Sequence, residues 1–145
     1  MRRLTAVFIL FCLSALSAAA QTRTITETDL FRFVWVADPQ MSPDGSRIAF
    51  VRVTVDDKKD GYDTGIWIVP ANGSEAARPL TGGRRDHSPR WSADGTRLAF
   101  VRAPQKDTAF EPPQVFVMAM SGGEARAVTA IPRGAAAPVW SPDGA

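Results

Sequence analysis

The sequence predicts an all-β fold of four-stranded antiparallel units set in tandem. Three observations predict it: an internal repeat of 50 residues, a recurrent Ser-x-Asp-Gly turn, and short apolar runs alternating with turn residues. Pro39-Gln-Met-Ser-Pro-Asp-Gly-Ser-Arg-Ile-Ala-Phe-Val-Arg52 aligns without gaps on Pro89-Arg-Trp-Ser-Ala-Asp-Gly-Thr-Arg-Leu-Ala-Phe-Val-Arg102, with nine of fourteen positions identical. A third copy begins at Pro138-Val-Trp-Ser-Pro-Asp-Gly144, so the copies are spaced by 50 and then 49 residues.

Taken in chain order, residues 1–20 read as a secretory signal peptide. Arg2 and Arg3 hold the start on the cytoplasmic side, Leu4 to Leu16 supply an apolar run, and Ala18 and Ala20 suit a signal-peptidase pocket, with cleavage between Ala20 and Gln21. The apolar part is shorter than the roughly 20 residues that span a bilayer, which argues against a membrane helix. Cys12 follows Phe11 rather than a small residue, so no lipid attachment is expected and the only cysteine leaves with the segment. The expected location is periplasmic or secreted, with no stable membrane anchor after cleavage.

Removing residues 1–20 removes Arg2 and Arg3 from the 17 Lys plus Arg, leaving 15 against 15 Asp plus Glu. A neutral chain gives no reason to expect a nucleic-acid partner. Without cysteine it has no disulfide, thiol nucleophile or thiolate metal ligand, and packing must carry its stability. The 45% hydrophobic and 22% charged residues are those of an ordinary globular chain.

Residues 21–38 form a lead-in. Thr26-Glu-Thr-Asp29 has the capping-box pattern, and Leu30, Phe31, Val34 and Trp35 follow at helical spacing, so a short helix is predicted over 27–35, packed on the first unit rather than on a cofactor. Residues 39–42 then enter a turn at Pro43, Asp44 and Gly45, where Pro presets φ, Asp bonds the local backbone and Gly takes the left-handed position. Residues 47–53 place Ile48, Phe50 and Arg52 on one face and Ala49, Val51 and Val53 on the other, the pattern of a strand buried on both sides. A charged loop at 56–61 leads to strands at 66–69 and 78–81 across Asn72-Gly73. The second period repeats the order: the turn at Asp94 and Gly95, then strands at 115–118 and 125–129. Pro142, Asp143 and Gly144 begin the third.

Four antiparallel strands per 40–50 residues is the signature of a β-propeller blade. A sandwich accounts for strands and turns but not for a repeat with the same loop order. The predicted architecture is therefore an incomplete propeller over 39–145: blade one at 39–87, blade two at 88–136 and the start of blade three at 137–145. Propellers close with four to eight blades, so these cannot close a ring. As an isolated chain they are expected to expose blade faces and strand edges and to aggregate or pack loosely.

Ile25-Thr-Glu-Thr-Asp-Leu-Phe-Arg-Phe33, Val36-Ala-Asp-Pro-Gln-Met-Ser-Pro-Asp-Gly45 and Ile48-Ala-Phe-Val51 resemble the start of exported bacterial members of the prolyl oligopeptidase family, the acylaminoacyl-peptidase and dipeptidyl-peptidase-like serine peptidases. The resemblance covers residues 25–145. Its Ser-Pro-Asp-Gly motif is shared with the periplasmic TolB propeller, and the order of signal segment, short helix and first blade is more specific. The resemblance implies an N-terminal propeller that restricts entry, joined to an α/β-hydrolase domain with a Ser, Asp and His triad. This chain ends before any such domain, so the peptide substrate would be met by a domain absent here. The alternative is a TolB-like module that binds proteins and does no chemistry.

The residues themselves offer no catalytic set. No Gly-x-Ser-x-Gly elbow occurs, and Ser121 beside Gly122 and Gly123 reads as a turn. His87, the only histidine, reads as a loop residue linking the blades. Asp56, Asp60 and Gly61 resemble positions 1, 5 and 6 of a calcium loop, but Lys58 and Trp67 stand at positions 3 and 12, where oxygen ligands are needed. Trp91 and Trp140 share one repeat position, which favours packing between blades over ligand stacking, and Arg84, Arg85 and Arg90 read as solvated cations. No cofactor, metal site or catalytic residue is assigned, and the chain alone is expected to be inactive as a peptidase.

Overall fold

A computed structural model describes residues 23–106 and 109–144; the expected signal segment, with Cys12, Ala20 and Gln21, lies outside them. A 3-10 helix over Glu27–Arg32 precedes β1 (Val34–Met41), β2 (Arg47–Val55), β3 (Tyr62–Pro70) and β4 (Arg78–Pro79). These pair as one antiparallel sheet in chain order, blade one. Blade two consists of β5 (Asp86–Trp91), β6 (Arg97–Arg102), β9 (Gln114–Ala119) and β10 (Arg126–Ala127), with the small hairpin of β7 (Gln105–Lys106) and β8 (Ala109–Phe110) inserted after its second strand. The all-β, unclosed, four-stranded-blade architecture is the one predicted.

The lead-in and the first strand differ from expectation. The helix is shorter and tighter than 27–35: Phe33 is already extended at φ −65 and ψ 139, and Val34 and Trp35 pair with Thr54 and Val53 in the β1–β2 ladder. The β-branched residues at 34 and 36 gain more from a strand edge beside Val53 than from a second helical turn. The first strand thus starts ahead of Pro39, and that proline sits in an irregularity of the ladder between Ala37 and Gln40. Proline has no N–H to give a ladder, so a bulge is where a strand can hold it. The same irregularity recurs between His87 and Arg90, and Asp38, Ser88 and Ala137, each preceding the repeat proline, have φ of 44, 54 and 51. The left-handed bulge is therefore part of the repeat.

The Ser-x-Asp-Gly turns are nearly identical. In blade one the Ser42 hydroxyl donates to Asp44 Oδ1 at 2.6 Å, and the Ser46 N–H and hydroxyl donate to the same carboxylate at 3.0 and 2.8 Å. In blade two Ser92 and Thr96 make the same three bonds to Asp94 at 2.6, 3.0 and 2.8 Å. Gly45 and Gly95 take φ of 70 and 69, the left-handed position that closes each turn. With three donors on each carboxylate, Asp44 and Asp94 are both held down to about 2, the bond from the preceding serine being the largest cause. Ser141 also donates to Asp143, and Gly144 N–H closes on the Ser141 carbonyl at 2.9 Å, so the third copy forms its turn too.

The outer strands are shorter than expected for one reason in both blades. Thr81 accepts the Ile66 N–H at 3.2 Å and Thr129 accepts the Val115 N–H at 2.9 Å, so a threonine hydroxyl stands in for ladder bonds beyond β4 and β10.

Candidate functional site: the joint between the blades

Cross-strand partners share a sheet face, so the register shows what each blade turns towards its neighbour. Ala49 pairs with Ile68 and Val51 with Ile66, giving blade one a face of small and branched residues. Leu98 pairs with Met118 and Phe100 with Phe116, giving blade two a face of larger ones. The two faces form one core of Ala49, Ile66, Leu98, Phe100 and Met118, with Phe116 stacked on Phe100 at 5.9 Å. Large side chains on one sheet thus stand against smaller ones on the other.

Around this core the repeat builds a clasp. Trp91 donates its indole N–H to the Gln40 carbonyl of blade one at 3.0 Å, beneath the Arg47 guanidinium at 5.3 Å. One period later Trp140 donates to the Arg90 carbonyl at 2.9 Å, beneath Arg97 at 4.7 Å. Gln40 and Arg90 are the same repeat position, as are Arg47 and Arg97, so each tryptophan bonds backwards onto the preceding blade. Ion pairs flank the clasp: Arg90 on Asp38 at 2.8 Å, and Arg84 on Asp63 at 2.6 Å. The arginines at 84 and 90 therefore do not converge on a common ligand, while Arg84 and Arg85 line one pocket with Asp56, Asp57 and Asp63. Arg84 and Arg90 hold separate acids of blade one, and Arg85 lies in a parallel bridge with Thr64.

Asp86 is the residue that sequence reasoning passed over. It is wholly buried and accepts two parallel bonds from Arg102, both at 2.7 Å. That pairing raises the Arg102 guanidinium above its ordinary range, burial opposing. Arg102 also lies over Phe100 and Phe116, at 5.2 and 5.1 Å. Gly83 makes room, because a Cβ there would stand 2.2 Å from Asp86 Oδ1.

His87 lies in β5 rather than in a loop, with Nδ1 3.0 Å from Ser88 Oγ. Burial pushes its pKa below the ordinary histidine range, with Asp86 and Asp38 pulling the other way. Asp86 is turned to Arg102 and does not orient the ring as an acid would in a triad. Between the blades runs a groove of about 690 Å³ lined by Leu80, Gly83, Arg84, Arg102, Met118 and Glu124 among others, and no serine, cysteine or histidine is among its lining residues. The Asp56 carboxylate accepts the Asp60 N–H at 3.3 Å, closing that loop on itself. Among the described residues no three His, Cys, Asp or Glu side chains group as metal ligands.

No protein-family model matches the chain. It is 42% identical over 122 residues to a protein of Bacillus subtilis (strain 168) named uncharacterized peptidase YuxL, an alignment covering 84% of this chain and 18% of that protein. The chain thus spans under a fifth of the length of the curated relative it matches. Among solved structures, the β-propeller domain of the Trilobed protease from Pyrococcus furiosus aligns at TM-score 0.59 and 21% identity, over 77% of this chain and 33% of that one. The apo AtxE2 isopeptidase aligns at 0.60 and 20%, over 79% and 21%. An acylaminoacyl peptidase of Pyrococcus horikoshii aligns at 0.53 and 21%, over 68% and 14%. These structural likenesses show a shared propeller fold.

Proposed function

We infer function from one premise: this chain belongs among the β-propeller portions of the prolyl oligopeptidase-type peptidases. On that premise it is the opening of the propeller of a longer, exported serine peptidase, and its work is to restrict access to a catalytic domain outside these residues. The 42% identity to a named peptidase over 84% of the chain carries the reading. The accounting of side chains supports it: Arg84, Arg90 and Trp91 are spent on joining blades, Asp86 on Arg102 within blade two, and His87 has no acid turned to its ring. A surface built to hold two sheets together serves as a wall.

The test compares the 145-residue chain with the longer polypeptide that continues it, on short peptides and on folded proteins. The longer polypeptide is expected to cleave the peptides, spare the folded proteins and lose activity to a serine-directed reagent, and the short chain to cleave neither. Cleavage by the short chain would overturn the assignment of catalysis elsewhere. A continuation made only of further Ser-Pro-Asp-Gly blades, with no peptidase activity, would turn the reading to a binding propeller.

A further inference from the structure

Blade one has a second face, turned away from blade two. Cross-strand pairing puts Phe50 with Trp67, Ile48 with Val69 and with Met41, and Val36 with Arg52 on it. This is the face whose repeat equivalents in blade two, Phe100, Phe116, Leu98, Met118 and Trp91, are covered by blade one. In blade one it is only partly covered: Phe50 is buried, but Met41 is 62% and Val36 64% exposed. Continuity with the joint already described says what covers such a face, namely the small-residue face of another blade.

The two faces differ at their charge. In blade two Arg102 lies over its aromatic pair and is neutralised within the blade by Asp86. In blade one Arg52 lies over Trp67 at 4.7 Å, and the residue opposite it, in the position of Asp86, is Val36. Among the described residues no carboxylate lies within ion-pair distance of Arg52. A half-buried guanidinium that a second sheet is to cover must find an acid, because desolvating it alone is costly.

That another blade of the same polypeptide covers this face follows from the propeller fold; we propose that the arriving blade brings an aspartate or glutamate to Arg52. The arginine over the aromatic pair is then neutralised by the arriving blade on this side, whereas Arg102 at the joint to blade two is neutralised within its own blade. The proposal rests on the reading of the chain as part of a longer propeller, but not on that propeller's serving a peptidase.

The test uses the longer polypeptide carrying Arg52→Lys, which keeps the charge and supplies an amine, treated with a carbodiimide that joins an amine to a carboxylate in contact with it, with loss of water to the reagent. Peptide mapping is expected to find the new amine linked to a carboxylate beyond residue 145 of the same molecule, with no link at that position in the unsubstituted protein. The double variant Val36→Asp, Arg52→Lys is the control and should link within blade one. Given that control, a link from the single variant only within residues 1–145, a link only between two molecules, or no link at all would overturn the proposal. Peptidase activity is measured on the same sample. A cross-link without activity would leave the seat standing and remove the peptidase reading, and activity without a cross-link would do the reverse.

Discussion

Blade one and blade two have the same turns, down to the lengths of their hydrogen bonds, and the same register, yet they spend their joint residues differently. Blade two has Trp91, Phe100 and Asp86 all engaged, the first two with its neighbour and the third with Arg102 of its own sheet; blade one shows Met41, Phe50 and Val36 at the same positions, the first and last of them exposed. The difference teaches that the repeat specifies two separate things. Residues of the turn hold each blade's own hairpin together, and residues on the large-side-chain face answer to whichever sheet lies opposite.

The largest expected effect comes from truncating the two equivalent phenylalanines. Phe100 is fully buried in the joint, so Phe100→Ala should cost about 3–5 kcal/mol by urea unfolding followed by pulse proteolysis. Phe50 is buried within its own blade but lies outside the joint cluster, and Phe50→Ala in this chain should cost less than Phe100→Ala. Equal losses in the 145-residue chain would break the comparison. Equal losses only in the longer polypeptide would sharpen it, because there the partly covered face of blade one gains a cover.

Next comes the buried acid. Asp86→Ala leaves Arg102 half-buried without its carboxylate and should cost about 3 kcal/mol. Val36→Ala, at the equivalent place in blade one, should change the unfolding midpoint little. A loss at Val36 matching that at Asp86 would mean the blades do not differ in the way their side chains indicate.

The smallest effect, and one expected to be equal in both blades, is on pH dependence. Folding holds the Asp44 and Asp94 carboxyls at about 2, below the ordinary 3.8. A group with a depressed folded value stabilises the fold above its unfolded value, so this contribution is complete above about pH 4 and lost as pH falls towards 2. Thermal melts between pH 5 and 2 should show that loss, and Asp44→Asn or Asp94→Asn should each flatten the slope. An unchanged slope in either variant would mean its turn carboxylate is not ionised selectively by folding.

The strands and turns were legible because their causes are local. Residues 47–53 alternate, and Ser42, Asp44, Gly45 and Ser46 complete their bonding within five positions. The helix over 27–35 was misread because its apolar spacing also suits a strand edge, and only the presence of Val53 and Thr54 opposite decides between them. The left-handed bulge had a signal in the residue before each repeat proline, but steric rules for that position point away from the left-handed region, so the pattern alone did not suggest it.

The joint was not legible in this way. Asp86 lies next to His87 in the sequence, yet its partner is Arg102, 16 residues on. Arg90 finds Asp38 across 52 residues and Trp91 finds the Gln40 carbonyl across 51. By itself the sequence determined the period, the turn chemistry and the alternation that makes each strand two-faced, since these depend on contacts within a few residues. The tertiary structure alone decided which acid meets which arginine and which face stays partly exposed, because those outcomes depend on how two sheets stack, and stacking brings together residues a whole repeat apart.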